Sequence, residues 1–414
     1  MNKKKNNKKR MEHKEKQEES EWMEDAIHAH TYLTYLKKVF FNPQTEKKVF
    51  ILGNPSNDMD CVMSCYLVSI GENLRNKVIE IDDANHMLLN PNAKMVYYPV
   101  LNTKRGTFKY RLDEQYVFDK FHLNSEDFFY IDDPYITEEG IKKQGNVSVI
   151  LVDHSVLDVS EKYLAPYVTE LYDHHIIEKL DFPNLKNRFI KYPVGSCSTL
   201  VLLSLFLENY PSTMLPPLFA VSAILLDTHN FRKDFYNNKW NDLDKTVFNI
   251  IMSHAQSKVD PDRYYKEMNG AKKDLEKNLA QGILALYEKD KKTFEWGKNL
   301  CVWSSLPISF NKVVEKFGVE EVYKYFEEYK GKAKYYITSS FVENGNKVFY
   351  VFDQDHFKGD NRDDLKHQLT EVLKDHFTTI NIMDDLADMF VFELDSTSSR
   401  KAVEPFIKNV FNKE

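Results

Sequence analysis

Short runs of β-branched and aromatic residues alternate with longer amphipathic segments along most of this chain. From Trp22 to Phe40 the apolar residues recur at helical spacing and Pro43 follows, which predicts an amphipathic helix. After this segment the pattern predicts strands and then helices: Val49–Leu52, Met95–Val100, Val147–Val152, Val168–Tyr172 and Phe189–Tyr192 as strands, and Cys61–Leu74, Cys197–Asn209 and Leu215–Asp227 as helices. Val147–Val152 is nearly all apolar, which is typical of strands buried on both faces. We therefore expect an α/β fold, with a mostly parallel sheet flanked by helices in the N-terminal part.

A second series of elements follows a polar stretch at 232–244. It is predicted to comprise two helices and then four strands: Asp242–His254 and Tyr264–Leu286, then Leu300–Trp303, Tyr335–Phe341, Val348–Phe352 and Phe390–Leu394. An Asn-Gly pair between the two middle strands is typical of a hairpin turn. We therefore expect an α/β domain over 21–235, a helical linker over 236–262, and a smaller mixed α+β domain over 263–414. Residues 1–20 are rich in Lys, Asn and Glu, which predicts a disordered, solvated tail, with a targeting role as the alternative.

Composition excludes several classes of protein. The 56 Lys and Arg residues are outnumbered by 63 Asp and Glu, and the net charge of −7 argues against nucleic-acid binding through bulk charge. Four cysteines without a CxxC pair argue against a disulfide framework. The apolar runs are shorter than the about 20 residues that span a membrane, and the N-terminus lacks the apolar core of a secretory signal. We expect a soluble, cytoplasmic protein without nucleic-acid partners, and its oligomeric state stays open.

Acidic and histidine residues cluster in four places. One cluster is Gly53–Asp60, after the first predicted strand; two others are Asp153-His154-Ser155 and Asp173-His174-His175, each after a later strand; and Asp227-Thr228-His229 closes an apolar helix. Because the carboxyl ends of parallel strands meet at one edge of a sheet, the first three clusters should face one crevice. Each cluster alone is weak evidence, since an Asp at a helix start is often only a cap. Together they predict a metal site, because crowded carboxylates repel one another unless cations lie between them.

The order of the motifs resembles the DHH phosphoesterase superfamily: Asn-Pro-Ser-Asn-Asp-x-Asp, Asp-His-Ser, Asp-His-His, Gly-Ser-Cys-Ser-Thr and Asp-Thr. Two further stretches, Asp290-Lys-Lys-Thr-Phe294 and Ser399-Arg-Lys401 with Pro405, resemble the phosphate-binding signatures of the DHHA2 domain. That domain occurs in family II inorganic pyrophosphatases, prune-like proteins and eukaryotic exopolyphosphatases. The pyrophosphatases have a metal-binding histidine four residues before the first Asp, where this chain has Asn54, as exopolyphosphatase-like members do. Ser155 is a departure, since the family commonly has Asn there.

The resemblance implies a metal-dependent exopolyphosphatase that removes terminal phosphate from polyphosphate in a cleft between two domains. It assigns Asp58 to one of two divalent ions and Asp60, His174 and Asp227 to the other, with Asp153 bridging both. Mostly oxygen ligands favour Mg²⁺ or Mn²⁺. His175 is the candidate general acid for the leaving oxygen or a charged hydrogen-bond donor to phosphate, with a packing or supporting role as its alternative. His154 and His229 are expected to support the ligands.

Further residues are expected to contact phosphate: Asn54, Ser196, Ser198, Lys292, Arg400 and Lys401. Two of these assignments have plain alternatives. Ser196 or Ser198 could cap the helix that follows or hold a metal ligand, and Lys292 could belong to a solvated lysine run. For the whole chain, the alternatives are a pyrophosphatase or short-chain polyphosphatase, or a prune-like regulatory protein acting mainly through partners.

Overall fold

The computed structural model describes residues 30–81, 87–176, 180–207, 216–253, 260–328, 333–342, 346–353, 362–377, 380–383, 389–396, 398 and 400–412. Helix α1 occupies 30–40, so the predicted helix from Trp22 is seen only in its second part. The predicted tail at 1–20 lies outside the described residues. No helix among these residues is long and apolar enough to cross a membrane.

The chain forms two compact units, Met1–Ala271 and Lys272–Glu414. The first contains eight described strands: β1 Lys47–Leu52, β2 Ile79–Ile81, β3 Met87–Leu89, β4 Met95–Leu101, β5 Phe129–Tyr130, β6 Val147–Val152, β7 Val168–Asp173 and β8 Asn187–Ile190. Six of them form one sheet in the order β5-β4-β1-β6-β7-β8, with every neighbouring pair parallel. All six residues of β6 are buried, as its apolar run predicts. The predicted α/β class with a mostly parallel sheet is confirmed.

The described helices of this unit after α1 are α2 Met59–Arg75, α3 Leu112–Lys120, α4 Glu138–Gln144, α5 Cys197–Leu207, α6 Pro217–Ala220, α7 Ser222–Asp227, α8 Asp242–Ser253 and α9 Pro261–Lys272. The helix predicted over Leu215–Asp227 is thus two helices, because Val221 leaves helical geometry (φ −97°, ψ 5°) between α6 and α7. The last predicted strand of this part, Phe189–Tyr192, lies two residues earlier, where 187–190 pair with 170–173 of β7.

The second unit contains six described strands, β9 Lys291–Trp296, β10 Asn299–Ser305, β11 Tyr335–Phe341, β12 Lys347–Asp353, β13 Ile380–Ile382 and β14 Phe390–Leu394. They form a mixed sheet in the order β13-β14-β12-β11-β10-β9, in which only β10 and β11 are parallel. Its helices are α10 Leu275–Ala280, α11 Ile283–Glu288, α12 Phe310–Phe317, α13 Val319–Glu328, α14 Arg362–His376 and α15 Arg400–Phe411. The predicted mixed α+β domain is confirmed.

Alternation along the strands gives this second sheet two apolar faces. Trp303 and Tyr335 belong to a core with residues of α14 and α15, whereas their neighbours Val302 and Tyr336 belong to another core with residues of α11 to α13. Successive side chains of a strand point to opposite faces, so a period of two fills both cores.

Three features differ from the sequence interpretation of the boundary region. The predicted linker over 236–262 is not separate from the first unit, because Val247 and Phe248 of α8 pack into its core and Tyr264 of α9 does too. The second unit therefore begins at Lys272 rather than at 263. The helix predicted over Tyr264–Leu286 is three helices, since Asp274 caps α10 and Gly282 takes a positive φ of 87°. The lysine run before Phe294 enters strand β9 and is half-buried there.

Candidate active site

The loop after β1 leads directly into α2, and both Asp residues of the first motif lie at this helix start. Asp58 is the N-cap of α2 and its carboxylate accepts a hydrogen bond from the Cys61 amide at 3.2 Å. Gly53 is required here, because a Cβ at this position would lie 2.5 Å from the Cβ of Cys61. The close approach of loop and helix brings the first motif to the carboxyl end of the sheet.

Asp153 follows β6 in a left-handed conformation with φ of 61°, which costs a non-glycine residue about 1–3 kcal/mol. Its side chain is buried, and its two oxygens face different partners. Oδ1 lies 3.0 Å from Nε2 of His174, whereas Oδ2 accepts from Nδ2 of Asn54 at 2.8 Å and lies 3.3 Å from Sγ of Cys61. Burial raises the pKa of Asp153, and the nearby carboxylates of Asp60 and Asp58 raise it further, although His174 opposes this.

His174 has a side-chain arrangement typical of a metal ligand. Its Nδ1 donates to the carbonyl oxygen of Val194 at 2.8 Å, so in the neutral ring Nε2 carries the lone pair. That nitrogen lies 3.0 Å from Oδ1 of Asp153 and 3.8 Å from Oδ2 of Asp60. Three acceptor atoms facing one another are unfavourable unless a proton or a cation lies between them. A histidine that donates its other N–H to a backbone carbonyl is the common arrangement at metal sites.

His175 is oriented by Asp173, the last residue of β7. Nδ1 of His175 lies 2.6 Å from Oδ1 of Asp173, and the same oxygen accepts from the backbone amides of His174 and His175. Burial alone would raise the pKa of Asp173, but the hydrogen bond from His175 and the charges of both histidines lower it below its usual value. The Asp173 carboxylate therefore holds the proton on Nδ1 and directs the chemistry of the ring to Nε2.

Asp60 is held by the N-terminus of α5. Its Oδ1 accepts from the hydroxyls of Ser196 and Ser198 at 2.6 and 2.8 Å and from the Ser198 amide at 2.8 Å, and its Oδ2 accepts from the Cys197 amide at 2.6 Å. A carboxylate at a helix N-terminus is favoured by the unpaired amides and by the helix dipole. The hydroxyls of Ser196 and Ser198 thus orient the Asp60 carboxylate. This contact corresponds to the alternative in which the two serines hold a predicted metal ligand.

Asn54 is buried, and both ends of its amide have partners within the protein. Nδ2 donates to the carboxylate and the carbonyl oxygen of Asp153, and Oδ1 accepts from the amide and hydroxyl of Ser56. In the structure Asn54 therefore positions Asp153. Its predicted contact with phosphate stays a prediction.

Two groups of ligand atoms lie close enough to hold a cation. Among the residues that the structure describes, Asp153, His174 and His175 form one such group and Asp58, Cys61 and Asp153 form another, with all ligand atoms of a group within 4.8 Å of one another. Neither group includes Asp60 or Asp227. The carboxylate and imidazole ligands fit a divalent cation at this place, and so does the raised pKa of Asp153, which comes first from burial and then from the neighbouring carboxylates.

Three other predicted residues of the first unit do not belong to these two groups of ligand atoms. Asp227 is the last residue of α7 and His229 follows it with a positive φ of 49°, its Nε2 lying 3.1 Å from Nζ of Lys239. His154 is buried, with Nδ1 3.0 Å from the carbonyl oxygen of Val152. These positions neither add a ligand to the two groups nor conflict with the supporting roles expected of both histidines.

The predicted phosphate-binding residues of the second unit are Lys292, Arg400 and Lys401. Arg400 begins α15, and its guanidinium donates to the carboxylate of Asp290 at 2.8 Å and to the Ser305 hydroxyl at 3.2 Å. Lys292 lies in β9, half-buried. The side chain of Lys401 lies outside the described residues. The predicted location of the active site between the two domains stays a prediction.

Sequence reasoning missed two residues of this site. The motif pattern assigns Asp173 no contact of its own, whereas in the structure its carboxylate orients His175. The helical pattern places Cys61 at the start of a helix, and only the structure shows that its thiol reaches Asp153. A signal for Cys61 exists in the sequence, because residues three apart lie on one face of a helix and Cys61 follows Asp58 at that spacing.

Comparison with known proteins gives distant matches. No protein-family model matches the chain. Exopolyphosphatase PRUNE1 from Bos taurus is 28% identical over 151 residues, which is 36% of this chain and 29% of the relative, and the Mus musculus protein of that name is 26% identical over 164 residues, 40% of this chain and 32% of the relative. This part of the chain is therefore similar in sequence to prune-like proteins, in agreement with the resemblance of its motifs to the DHH superfamily. The match spans only about a third of the curated relatives' length.

The fold also has a counterpart among solved structures. The crystal structure of a Methanococcus jannaschii protein assigned to the family II inorganic pyrophosphatases aligns with a TM-score of 0.59 at 17% identity, covering 88% of this chain and 99% of that one. This likeness concerns the fold alone. It supports the expected α/β architecture followed by a smaller mixed domain.

Proposed function

We propose that this prune-like chain is a metal-dependent phosphoanhydride hydrolase that releases terminal phosphate from linear polyphosphate. The observation that carries the proposal is the group of Asp153, His174 and His175 at the ends of two neighbouring parallel strands, with Asp58 beside Asp153. The curated relatives are named exopolyphosphatases, which favours the same chemistry here. Polyphosphate as the substrate is part of the proposal.

We propose that the site holds two divalent cations, either Mg²⁺ or Mn²⁺. Their ligands would be Asp58, Asp60, Asp153, His174 and Asp227. When bound, such ions polarise a phosphoryl oxygen and lower the pKa of a water molecule. The chain's own contribution is orientation: Val194 fixes the His174 ring, α5 holds the Asp60 carboxylate, and Asn54 holds one oxygen of Asp153. Fixed donors lower the cost of reorganisation during the reaction.

His175 is the proposed general acid. With Nδ1 held on Asp173, its Nε2 would deliver a proton to the oxygen of the leaving phosphate. The carboxylate of Asp173 stabilises the protonated ring before the transfer. An imidazole suits this role because its ordinary pKa lies near neutrality.

Phosphate binding is proposed for Lys292, Arg400 and Lys401. A guanidinium has five N–H donors in a planar fork, which suits the oxygens of a phosphate. Arg400 is paired with Asp290 in the structure, so a phosphate would share or displace this carboxylate. Charge-assisted hydrogen bonds of this kind are about twice as strong as neutral ones.

The test is a substrate panel on metal-stripped protein. Phosphate release would be measured from pyrophosphate, tripolyphosphate and long-chain polyphosphate, with Mg²⁺, Mn²⁺, Co²⁺ or Zn²⁺ restored one at a time. We expect the highest kcat/KM on long chains, and none without metal. Asp153→Asn, which keeps the side-chain shape, should lower kcat/KM by about a thousandfold, the several kcal/mol that a metal site supplies.

Other results would favour other functions. A preference for pyrophosphate over both longer substrates would identify a pyrophosphatase. Absence of hydrolysis with all four metals, in protein that unfolds cooperatively, would contradict an enzyme and favour a protein that acts through partners. Unchanged turnover in Asp153→Asn would refute the assignment of the site.

A further inference from the structure

Cys61 stands out among the cysteines because its thiol contacts a carboxylate of the proposed metal site. All four cysteines of the chain are free and buried. Sγ of Cys61 lies 3.3 Å from Oδ2 of Asp153, and together with Asp58 these residues place three ligand atoms within 4.8 Å of one another. Cys197, by comparison, has its sulfur 3.4 Å from a backbone carbonyl oxygen, that of Tyr172.

We propose that the Cys61 thiolate is a ligand of the cation held between Asp58 and Asp153. This inference rests on the proposed function, because it concerns the same site. It adds a sulfur ligand to a set that the sequence predicts to be mostly oxygen. The thiol proton leaves to solvent when the cation binds, since the thiolate is the form that coordinates metals.

Two further observations support a ligand at this place. Asn54, the neighbouring polar residue, has its amide oxygen engaged by Ser56, so it faces the site only through its N–H donors and cannot supply a lone pair there. Asp153 is only 3% exposed and Cys61 only 1% exposed, so water cannot satisfy this cluster as it would at the surface. In the metal-free chain the S–H group satisfies Oδ2 of Asp153 in place of a cation.

The position of Cys61 leaves it little freedom to turn away. Its Cβ packs against the backbone of Gly53, where a Cβ on residue 53 would lie only 2.5 Å away. Its sulfur accepts a hydrogen bond from the Asn54 amide at 3.3 Å. The backbone amide of Cys61 is bound to the carboxylate of Asp58. The thiol therefore stays close to both carboxylates, and a sulfur ligand here should raise the affinity for Co²⁺, Zn²⁺ and Cd²⁺ more than the affinity for Mg²⁺.

The experiment uses the full chain, stripped of metal and titrated with Co²⁺. We expect a sulfur-to-cobalt charge-transfer band in the near ultraviolet together with the visible bands of bound Co²⁺. Cys61→Ser should lose the charge-transfer band and keep cobalt binding. Cys65→Ser is the matched control, because Cys65 is equally buried one turn further along α2, and it should keep both features.

Affinities give a second readout. Cys61→Ser should weaken Zn²⁺ or Cd²⁺ binding by at least about tenfold, because even a residue that only supports a ligand contributes that much. Mg²⁺ binding should weaken less, because Mg²⁺ prefers oxygen to sulfur. If Cys61→Ser fails to fold, the ¹¹³Cd spectrum of the wild-type protein decides, since a thiolate ligand moves the resonance far from that of an oxygen-only site.

The outcomes separate this inference from the proposed function. Cobalt binding without a charge-transfer band, or a band that persists in Cys61→Ser, overturns the thiolate ligand and leaves the metal-dependent hydrolase intact. Absence of Co²⁺, Zn²⁺ and Mg²⁺ binding to the wild-type protein overturns both.

Discussion

Removing the Asp60 carboxylate should destabilise the first unit more than removing any other predicted ligand. Asp60→Ala deletes the acceptor for two backbone amides, those of Cys197 and Ser198, and for three serine hydroxyls. The hydroxyls can rotate, and that of Ser198 already lies 3.0 Å from Ser64. The two amides are fixed at the start of α5 and buried.

The magnitude follows from these contacts. A buried donor left without a partner costs about 1–3 kcal/mol, and the loss of a helix cap costs about 0.5–2 kcal/mol. Two buried amides left without a partner give a loss of about 2–6 kcal/mol, and the cap is not added because it consists of the same two hydrogen bonds. A domain is stable by only about 5–15 kcal/mol, so the effect should be a large fraction of the total.

Asp153→Ala is the matched control, because it truncates another buried Asp of the same site. The contacts of its carboxylate come from the side chains of Asn54, Cys61 and His174. Burial also raises its pKa, which means that the charged form is held at a cost. We expect Asp153→Ala to leave the stability of the metal-free protein nearly unchanged while abolishing activity.

The assay is urea unfolding of the metal-free chains, followed by circular dichroism, with amide hydrogen exchange at the start of α5. Asp60→Ala should lower the urea midpoint of the first unit and speed exchange at Cys197 and Ser198. An Asp60→Ala midpoint equal to that of the wild type, or an equal loss in Asp153→Ala, would refute the reasoning that α5 depends on this carboxylate.

Three further predictions concern other residues. Burial raises the pKa of Glu161 to about 7 from 4.5, so stability that is complete below about pH 4.5 should fall as the pH rises through 7, by roughly 2–4 kcal/mol; Glu161→Gln should flatten this profile in urea unfolding at pH 5 and pH 8. Arg400→Ala should lower kcat/KM for polyphosphate about 30- to 1000-fold, and Arg400→Lys should recover only part, with metal affinity by calorimetry equal in both; loss of metal would place Arg400 in another role. Asn54→His should shift the metal preference of phosphate release towards Mn²⁺ or Co²⁺, and an unchanged preference would show that position 54 does not reach a cation.

Sequence periodicity predicted most strands of both sheets, but not β5, β9 and β13. Val147–Val152, Tyr335–Phe341 and Phe390–Leu394 are strands with the bounds that the apolar pattern predicts. A strand buried on both faces has to be apolar throughout, and a helix start needs a capping side chain. Both features are therefore specified by residues that are close together in the sequence. The gathering of Asp58, Asp153 and His174 followed from the same logic, because parallel strands end at one edge of a sheet.

Tertiary structure alone decided what each of these side chains contacts. Apart from the hydroxyl of Ser64, the donors around Asp60 come from Ser196 and the start of α5, more than a hundred residues later in the chain. The end of the first unit at Ala271 likewise depends on which core α8 and α9 cover. The pattern of an amphipathic helix shows that one face is buried, but not which core it packs against. Cys61 belongs to the same category: its spacing from Asp58 is local, but its 3.3 Å contact with Asp153 exists only because β1 and β6 are neighbours in the sheet.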